Sequence, residues 1–342
     1  MQSETGPRSD GRLTIHRLAL GGDSNAFAVD VREGLTKSAK ALLPKYFYDE
    51  LGSRLFEAIC WLPEYYLTRA ESEILRANAD EIVSSVEGPV RVLELGSGSA
   101  EKTRYLIEAL LKKQPQLHYL PVDISDSSLE LASQRLLRLY PGLRITAFAA
   151  DYFTALQALG KRVPADGDCR TVVVFLGSNI GNFGRDQSRE FLRAVRKLLR
   201  PGDALVLGAD LKKSTEILIP AYNDALGVTA AFNLNLLARI NRELDGDFDV
   251  KKFHHSAIYN SELGRIEIHL VSREAQIVRI RAIDLEAKFE KSETIRTENS
   301  YKFDLDQLSI LARDTGFSLA KTWFDDAHLF SFNMFVARGN GN

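Results

Sequence analysis

Residues 92–103 read Val-Leu-Glu-Leu-Gly-Ser-Gly-Ser-Ala-Glu-Lys-Thr, an apolar strand running into a glycine turn and then a helix. No other stretch restricts the fold as much, because it ties a buried strand to a ligand. Gly96 and Gly98 permit the tight turn and leave bare backbone where a side chain would collide with that ligand. The helix that follows, from about Glu101, turns free N–H groups toward the same spot. A second strand, His118–Asp123, ends in an acid where the ribose hydroxyls of a nucleotide would lie. The pair predicts a nucleotide-type cofactor.

What the loop lacks narrows the choice. A phosphate-gripping P-loop needs Gly-Lys-Ser/Thr, whereas Lys102-Thr103 follow Glu101. A dinucleotide loop needs a third small residue, and Glu101 fills that position. Glu94, two residues before Gly96, suits an uncharged, zwitterionic or cationic ligand better than a pyrophosphate. In this Glu-x-Gly-x-Gly form the loop resembles motif I of class I methyltransferases that use S-adenosylmethionine. The competing reading is a glycine turn that merely joins strand to helix, and Asp123 weighs against it.

From residue 76 onward, helix and strand alternate. Strands are expected at Val90–Leu95, His118–Val122, Leu143–Phe148, Thr171–Leu176 and Ala204–Leu207. Helices are expected near Thr103–Lys113, Ser127–Leu139 and Asp186–Leu199. The run at Thr171–Leu176 is uninterruptedly apolar, as the centre of a parallel sheet requires. Such alternation predicts a doubly wound α/β sheet. Leu319–Phe324 and Leu329–Val336, joined by the short Asp325–His328 link, must run antiparallel. By resemblance, that hairpin is the usual ending of a class I, Rossmann-like methyltransferase sheet.

Two stretches fall outside this core. Residues 20–75 carry helical segments and an aromatic cluster. Residues 213–300 begin as helix over Glu216–Leu244, then switch to period-two segments at Arg265–Val271 and Gln276–Arg281. That is too long for a plain connection and reads as an inserted lobe. The expected division is 76–212 with 301–342 as the sheet domain, 20–75 with 213–300 as a second lobe, and 1–19 partly disordered.

Composition excludes several classes. Hydrophobic content of 45% with 26% charged residues is ordinary for a globular enzyme, and a net charge of −2 offers no field for nucleic acid or a membrane surface. Lys112-Lys113 and Lys251-Lys252 read as solvated surface. Cys60 and Cys169 have neither metal-ligand spacing nor the number a disulfide framework needs. His254-His255 are adjacent, so on a strand they point to opposite faces, and no metal site is expected. With a polar N-terminus and no run near the roughly 18 apolar residues of a membrane span, the chain is expected to be a cytoplasmic monomer.

Four further stretches stand out. They are Phe47-Tyr48-Asp49-Glu50-Leu51-Gly52-Ser53 with Leu62-Pro63-Glu64-Tyr65-Tyr66; Phe175-Leu176-Gly177-Ser178-Asn179-Ile180-Gly181-Asn182-Phe183; Ala221-Tyr222-Asn223-Asp224-Ala225 with Phe232-Asn233-Leu234-Asn235; and Ile295-Arg296-Thr297-Glu298-Asn299-Ser300. Together they closely resemble the ergothioneine-pathway histidine methyltransferases, which trimethylate the α-amine of L-histidine to hercynine. The resemblance runs from about Leu43 to Arg338, through separated motifs in the same order. It implies a substrate lobe made of the N-terminal segment and the insertion.

On the substrate side the resemblance assigns Asn182 to the amino acid's main-chain groups, the Gly177 carbonyl to the amine and Tyr222 to the carboxylate. Physically, Gly177–Asn182 must lie outside the carboxyl end of a parallel strand, where ligands bind. Asn182 offers both donor and acceptor, although a helix N-cap or turn residue reads the same way. Glu298 and Ser300 alternate by two, so they share a side. By resemblance they pair with the two imidazole nitrogens; otherwise they form a solvated face, or Glu298 pairs with Arg296. Tyr48 and Tyr65 are assigned to the pocket, the first near the amine and the second near the ring, where aromatic faces suit a methylammonium product. Core packing is the alternative, expected for Phe47 and Trp61. Ile268 stands where better-known members carry methionine against the ring, and it is stiffer.

On the cofactor side, Gly96 and Gly98 are assigned to the methionine part of S-adenosylmethionine and Lys102 to its carboxylate. Asp123 is assigned to the ribose, and Asp151 and Tyr152 to adenine. An exposed first-turn helix residue is the other reading of Lys102. No dedicated base is identified; Tyr48 is nearest the amine by resemblance. Two alternatives remain open: an α-amine methyltransferase for another aromatic amino acid such as tryptophan, and a catalytically silent binding protein. An indole has a single donor and would leave Glu298 poorly paired.

Overall fold

A computed structural model describes residues 11–18, 26–162 and 169–339. Contacts divide the chain into two units. One comprises Met1–Leu20, Leu67–Lys212 and Phe303–Asn342, the other Gly21–Tyr66 and Lys213–Lys302.

The first unit is built on eight strands: β1 (Leu13–Arg17), β2 (Val90–Leu95), β3 (Leu117–Asp123), β4 (Leu143–Ala149), β5 (Arg170–Phe175), β6 (Ala204–Asp210), β12 (Phe317–Phe324) and β13 (Phe330–Ala337). Their order is β1-β4-β3-β2-β5-β6-β13-β12. Pairs from β1 to β6 are parallel, and β13 runs antiparallel to both β6 and β12. The helices α3 (Tyr66–Ser84), α4 (Arg104–Lys113), α5 (Asp126–Leu139), α6 (Tyr152–Arg162), α7 (Arg185–Leu198) and α10 (Leu305–Asp314) alternate with them. All residues of β2 and β6 are buried, as strands covered on both faces must be. Leu95, Val122, Phe148, Phe175, Phe191 and Leu207 belong to one apolar cluster, each worth about 1.5–3 kcal/mol over exposure. From β2 the chain winds outward to β3 and β4, then returns to β5 on the other side. The carboxyl ends of β2 and β5 therefore meet at the switch of direction, where such sheets bind ligands.

Part of the segment expected to be disordered is a strand. Residues 1–10 and 19 lie outside the described residues, but Leu13–Arg17 pair with β4 from Leu13↔Ile145 to Arg17↔Ala149. Burying Leu13 on the sheet edge supports that pairing.

The second unit holds α1 (Ala26–Thr36), α2 (Glu50–Cys60), α8 (Thr215–Tyr222) and α9 (Val228–Leu244). It also has strands β7 (Phe253–Asn260), β8 (Arg265–Ser272), β9 (Gln276–Ile280), β10 (Leu285–Phe289) and β11 (Thr294–Tyr301). They form an antiparallel sheet β11-β8-β7 and a β10-β9 pair. The single helix expected over Glu216–Leu244 is two. Asp224 accepts from the Val228 and Thr229 N–H groups at 2.9 and 2.8 Å, starting α9 afresh, and Gly227 turns the chain with φ +75°. Phe47 is buried among aromatic rings, as expected, but Trp61 is 88% exposed. It sits at the C-cap of α2, past the helix face that carries Phe56 toward Tyr48 and Phe232. No described helix is long and apolar enough to cross a membrane.

Candidate functional site

The residues expected to hold the cofactor lie at the carboxyl ends of β2, β3 and β4. Gly96 and Gly98 both have positive φ, +78° and +50°. A Cβ on Gly96 would lie 2.7 Å from the Tyr152 hydroxyl and 3.1 Å from Asn179 Nδ2, so only glycine fits beneath them. A Cβ on Gly98 would meet nothing within 4 Å, which leaves its backbone open to a ligand. Asp123 ends β3 and holds this loop. Its Oδ2 accepts from the Gly98 N–H at 2.7 Å and its Oδ1 from the Ser125 N–H at 2.9 Å. Burial raises its pKa against these bonds. Glu94 is buried, and its carboxylate takes the Thr103 and Tyr119 hydroxyls. Burial outweighs those bonds and raises it to about 7. Burial also pushes the Tyr152 phenol upward.

Two expected cofactor residues have further partners. Asp151 caps α6, accepting from Thr154 N–H at 3.0 Å and its hydroxyl at 2.7 Å. Lys102 is not the exposed helix residue of the alternative reading. Its ammonium pairs with Glu71, a carboxylate of α3 that is 1% exposed. The other oxygen of Glu71 accepts the Gly177 N–H at 2.6 Å. One buried acid therefore binds both the Lys102 ammonium and the turn after β5. Nothing in the sequence around Glu71 marks it, since it is one of several charged residues on a helix.

That turn passes through two successive left-handed residues, Gly177 (φ +71°), where glycine carries no penalty, and Ser178 (φ +55°), which is strained. Ser178 Oγ accepts the Asp210 N–H at 2.9 Å, which anchors the left-handed pair. Asn182 closes the short 3₁₀ turn Asn179–Asn182, and Gly184 is the N-cap of α7, so Asn182 is not that cap. Its half-buried amide has no side-chain hydrogen bond among the described residues.

The remaining residues belong to the second unit. Tyr48, Phe56 and Tyr65 form an edge-to-face series at 5.6 and 6.3 Å, and Tyr65 meets Tyr222 at 6.3 Å. Burial raises the Tyr65 phenol well above its ordinary value, with smaller contributions from Tyr222, Cys60, Tyr48 and Glu298, so it remains a donor. In β11, Glu298 pairs with Ile268 and Ser300 with Ile266, which places all four side chains on one face. Burial raises Glu298 to about 7, partly opposed by Lys302. No ion pair joins it to Arg296 among the described residues, and Arg296 itself is exposed.

Lys302 was missed. It is 2% exposed and donates to Tyr222 Oη at 2.7 Å and Ser300 Oγ at 2.8 Å, while those hydroxyls lie 2.9 Å apart. The signal was present, because Lys302 continues the two-residue alternation of Glu298 and Ser300. A buried ammonium among hydroxyls favours anionic groups nearby. His254 and His255 share no metal site, and no metal-binding cluster occurs among the described residues.

Comparison with known proteins places the chain in a family. A family described as histidine-specific methyltransferase, SAM-dependent, matches residues 27–337. A histidine N-alpha-methyltransferase of Mycolicibacterium smegmatis is 44% identical over 319 residues, 93% of this chain and 97% of that protein. One from Mycobacterium tuberculosis is 42% identical over 92% of this chain and 97% of its own. Ergothioneine biosynthesis protein 1 of Schizosaccharomyces pombe is 30% identical over 75% of this chain, which corresponds to 33% of that longer protein.

Proposed function

The chain belongs to the histidine-specific, S-adenosylmethionine-dependent methyltransferases, and from that footing we propose that it converts L-histidine to hercynine by three successive Nα-methylations, as a step toward ergothioneine. The observation that carries the reading is the shared face of Glu298 and Ser300 in β11, backed by Tyr222 and the buried Lys302. Glu298 supplies an acceptor for one imidazole nitrogen. Ser300, with one bonding position left beyond Lys302 and Tyr222, serves the other. Tyr222 serves the amino acid's carboxylate, and Asn182 and the Gly177 carbonyl its amine.

The residues present fit the cofactor. Open backbone at Gly98, the Asp123 carboxylate and the Lys102 ammonium match the methionine part, the ribose hydroxyls and the carboxylate of S-adenosylmethionine. Asp151 and Tyr152 serve adenine. When bound, S-adenosylmethionine supplies a methyl group activated on a sulfonium. The protein's part is to orient a neutral amine and exclude water. An α-amine is largely protonated at neutral pH, with a pKa of about 7.7–8 in peptides, so it must shed a proton before each transfer. Tyr65 stays protonated and is no base; Tyr48 positions the amine. The rings of Tyr48 and Tyr65 offer π-faces to the growing methylammonium.

In this reading the first unit is the cofactor-binding domain and the second the substrate lobe of a cytoplasmic monomer acting on a free amino acid. A net charge of −2 favours neither a nucleic-acid nor a membrane partner. The test is purified protein with S-adenosylmethionine and L-histidine, followed by mass spectrometry for mono-, di- and trimethyl products. Unmodified histidine alongside methylated tryptophan would overturn the assignment in favour of another aromatic amino acid.

A further inference from the structure

The motif Phe232-Asn233-Leu234-Asn235 has no task in the reading above. Asn233 lies in α9 and is 1% exposed, and a buried amide is costly unless its polar atoms are bonded. Both ends are bonded. Nδ2 lies 2.9 Å from His255 Nδ1 and 3.1 Å from the His269 carbonyl, and Oδ1 accepts the Thr297 hydroxyl at 2.8 Å. The directions follow from chemistry. His255 Nε2 is 2.8 Å from the Tyr222 carbonyl, which only accepts, so Nε2 carries the proton. Burial lowers the His255 pKa, which keeps the ring neutral and Nδ1 an acceptor. Asn233 must therefore donate to His255 and turn its oxygen toward Thr297.

Thr297 is the extra residue of β11. As far as Arg296, which faces His269, the pairing with β8 follows one register; from Glu298, which faces Ile268, it follows the next. A bulge of this kind sends every later side chain to the opposite face. Without it Glu298 would stand across from Glu267, like charge against like charge, on the face that also carries His269. With it, Glu298 and Ser300 join the face of Ile268 and Ile266, both buried.

We infer that Asn233 is a positioning residue for substrate recognition. It holds the Thr297 bulge that aims Glu298 and Ser300, and through His255 it holds the carbonyl that ends α8 at Tyr222. One buried amide thus sets the residues assigned to the imidazole and the residue assigned to the carboxylate in a common frame. The inference rests on the proposed histidine specificity.

The test compares Thr297→Val, which exchanges the hydroxyl for a methyl at equal volume, with Thr297→Ser, which keeps it; Asn233→Leu is the second disruptive variant. Thr297→Val is expected to raise the histidine KM about tenfold, the scale of one lost buried hydrogen bond. It should also speed amide hydrogen exchange at residues 298–301 and leave S-adenosylmethionine affinity at the wild-type value. Thr297→Ser should match wild type in all three. A general loss of structure would weaken cofactor binding too, and would not be rescued by serine. Wild-type exchange and KM in Thr297→Val, or faster exchange with an unchanged KM, overturns the inference. If the wild-type protein leaves histidine unmethylated, the proposed function falls, and the exchange comparison still decides whether Asn233 and Thr297 hold the register.

Discussion

Ile268 stands directly opposite Glu298 across the antiparallel pair of β8 and β11, so a branched aliphatic chain and a carboxylate share one face. Ile268 is 3% exposed. Burial raises Glu298 from an ordinary 4.5 to about 7, partly opposed by Lys302.

That shift has a definite sign in stability. Between 4.5 and about 7 the folded protein binds more protons at Glu298 than the unfolded chain, so stability present at acid pH is lost as pH rises through that window. Glu298→Gln removes the effect, and its Tm relative to wild type should be higher at pH 8 than at pH 5. With histidine, Glu298→Ala should lose roughly five- to 150-fold in kcat/KM, the worth of about 1–3 kcal/mol for an unpaired imidazole nitrogen. Cofactor binding by calorimetry should be unchanged. A Tm difference equal at both pH values, or equal losses with histidine and tryptophan, would make Glu298 structural.

Lys302→Met tests the buried ammonium. It leaves the Tyr222 and Ser300 hydroxyls bonded to each other at 2.9 Å, so the fold should survive with little change in Tm. The histidine KM should rise about tenfold through loss of charge-assisted bonds to both hydroxyls. Steady-state kinetics at saturating cofactor measures this, and a wild-type KM would remove Lys302 from recognition.

Lys102→Met separates the two readings of that lysine. Glu71 would keep the Gly177 N–H but lose its cation while 1% exposed. Breaking a buried pair from one side costs about 3–5 kcal/mol; with 27% of the Lys102 side chain exposed, about 2–3 kcal/mol is expected here. Urea unfolding should show that loss, together with weaker S-adenosylmethionine binding. A change within about 0.5 kcal/mol would match an ordinary surface residue instead.

Asp123→Ala should weaken S-adenosylmethionine binding by roughly 1.5–3 kcal/mol, the scale of a charged hydrogen-bonding group. The same carboxylate holds the Gly98 and Ser125 N–H groups, so the loss combines ribose contact and loop order. Asp123→Asn, which keeps an acceptor for one of them, should lie between alanine and wild type in calorimetric titration. Wild-type affinity in the alanine variant would place the ribose elsewhere.

Local patterns in the chain carried the sheet and the cofactor loop. The expected strand at Val90–Leu95 and the terminal hairpin are present, because apolar runs, glycine turns and short links constrain neighbours in sequence. The two-residue alternation placing Glu298 and Ser300 on one side was equally legible. Which side they take was not, since Thr297 is held by Asn233 from another element, and a single inserted residue reverses every side chain after it. Glu71 is an ordinary charged residue in the sequence and becomes the buried partner of Gly177 only through long-range packing, as Lys302 becomes that of Tyr222, although its alternation with Ser300 was legible. Trp61 reads as core, yet its place at the end of α2 leaves it in solvent. Periodicity and turn chemistry act over a few residues and can be read along the chain. Register, burial of charge and the partners of a carboxylate depend on residues tens to hundreds of positions away, and only the folded chain brings those together.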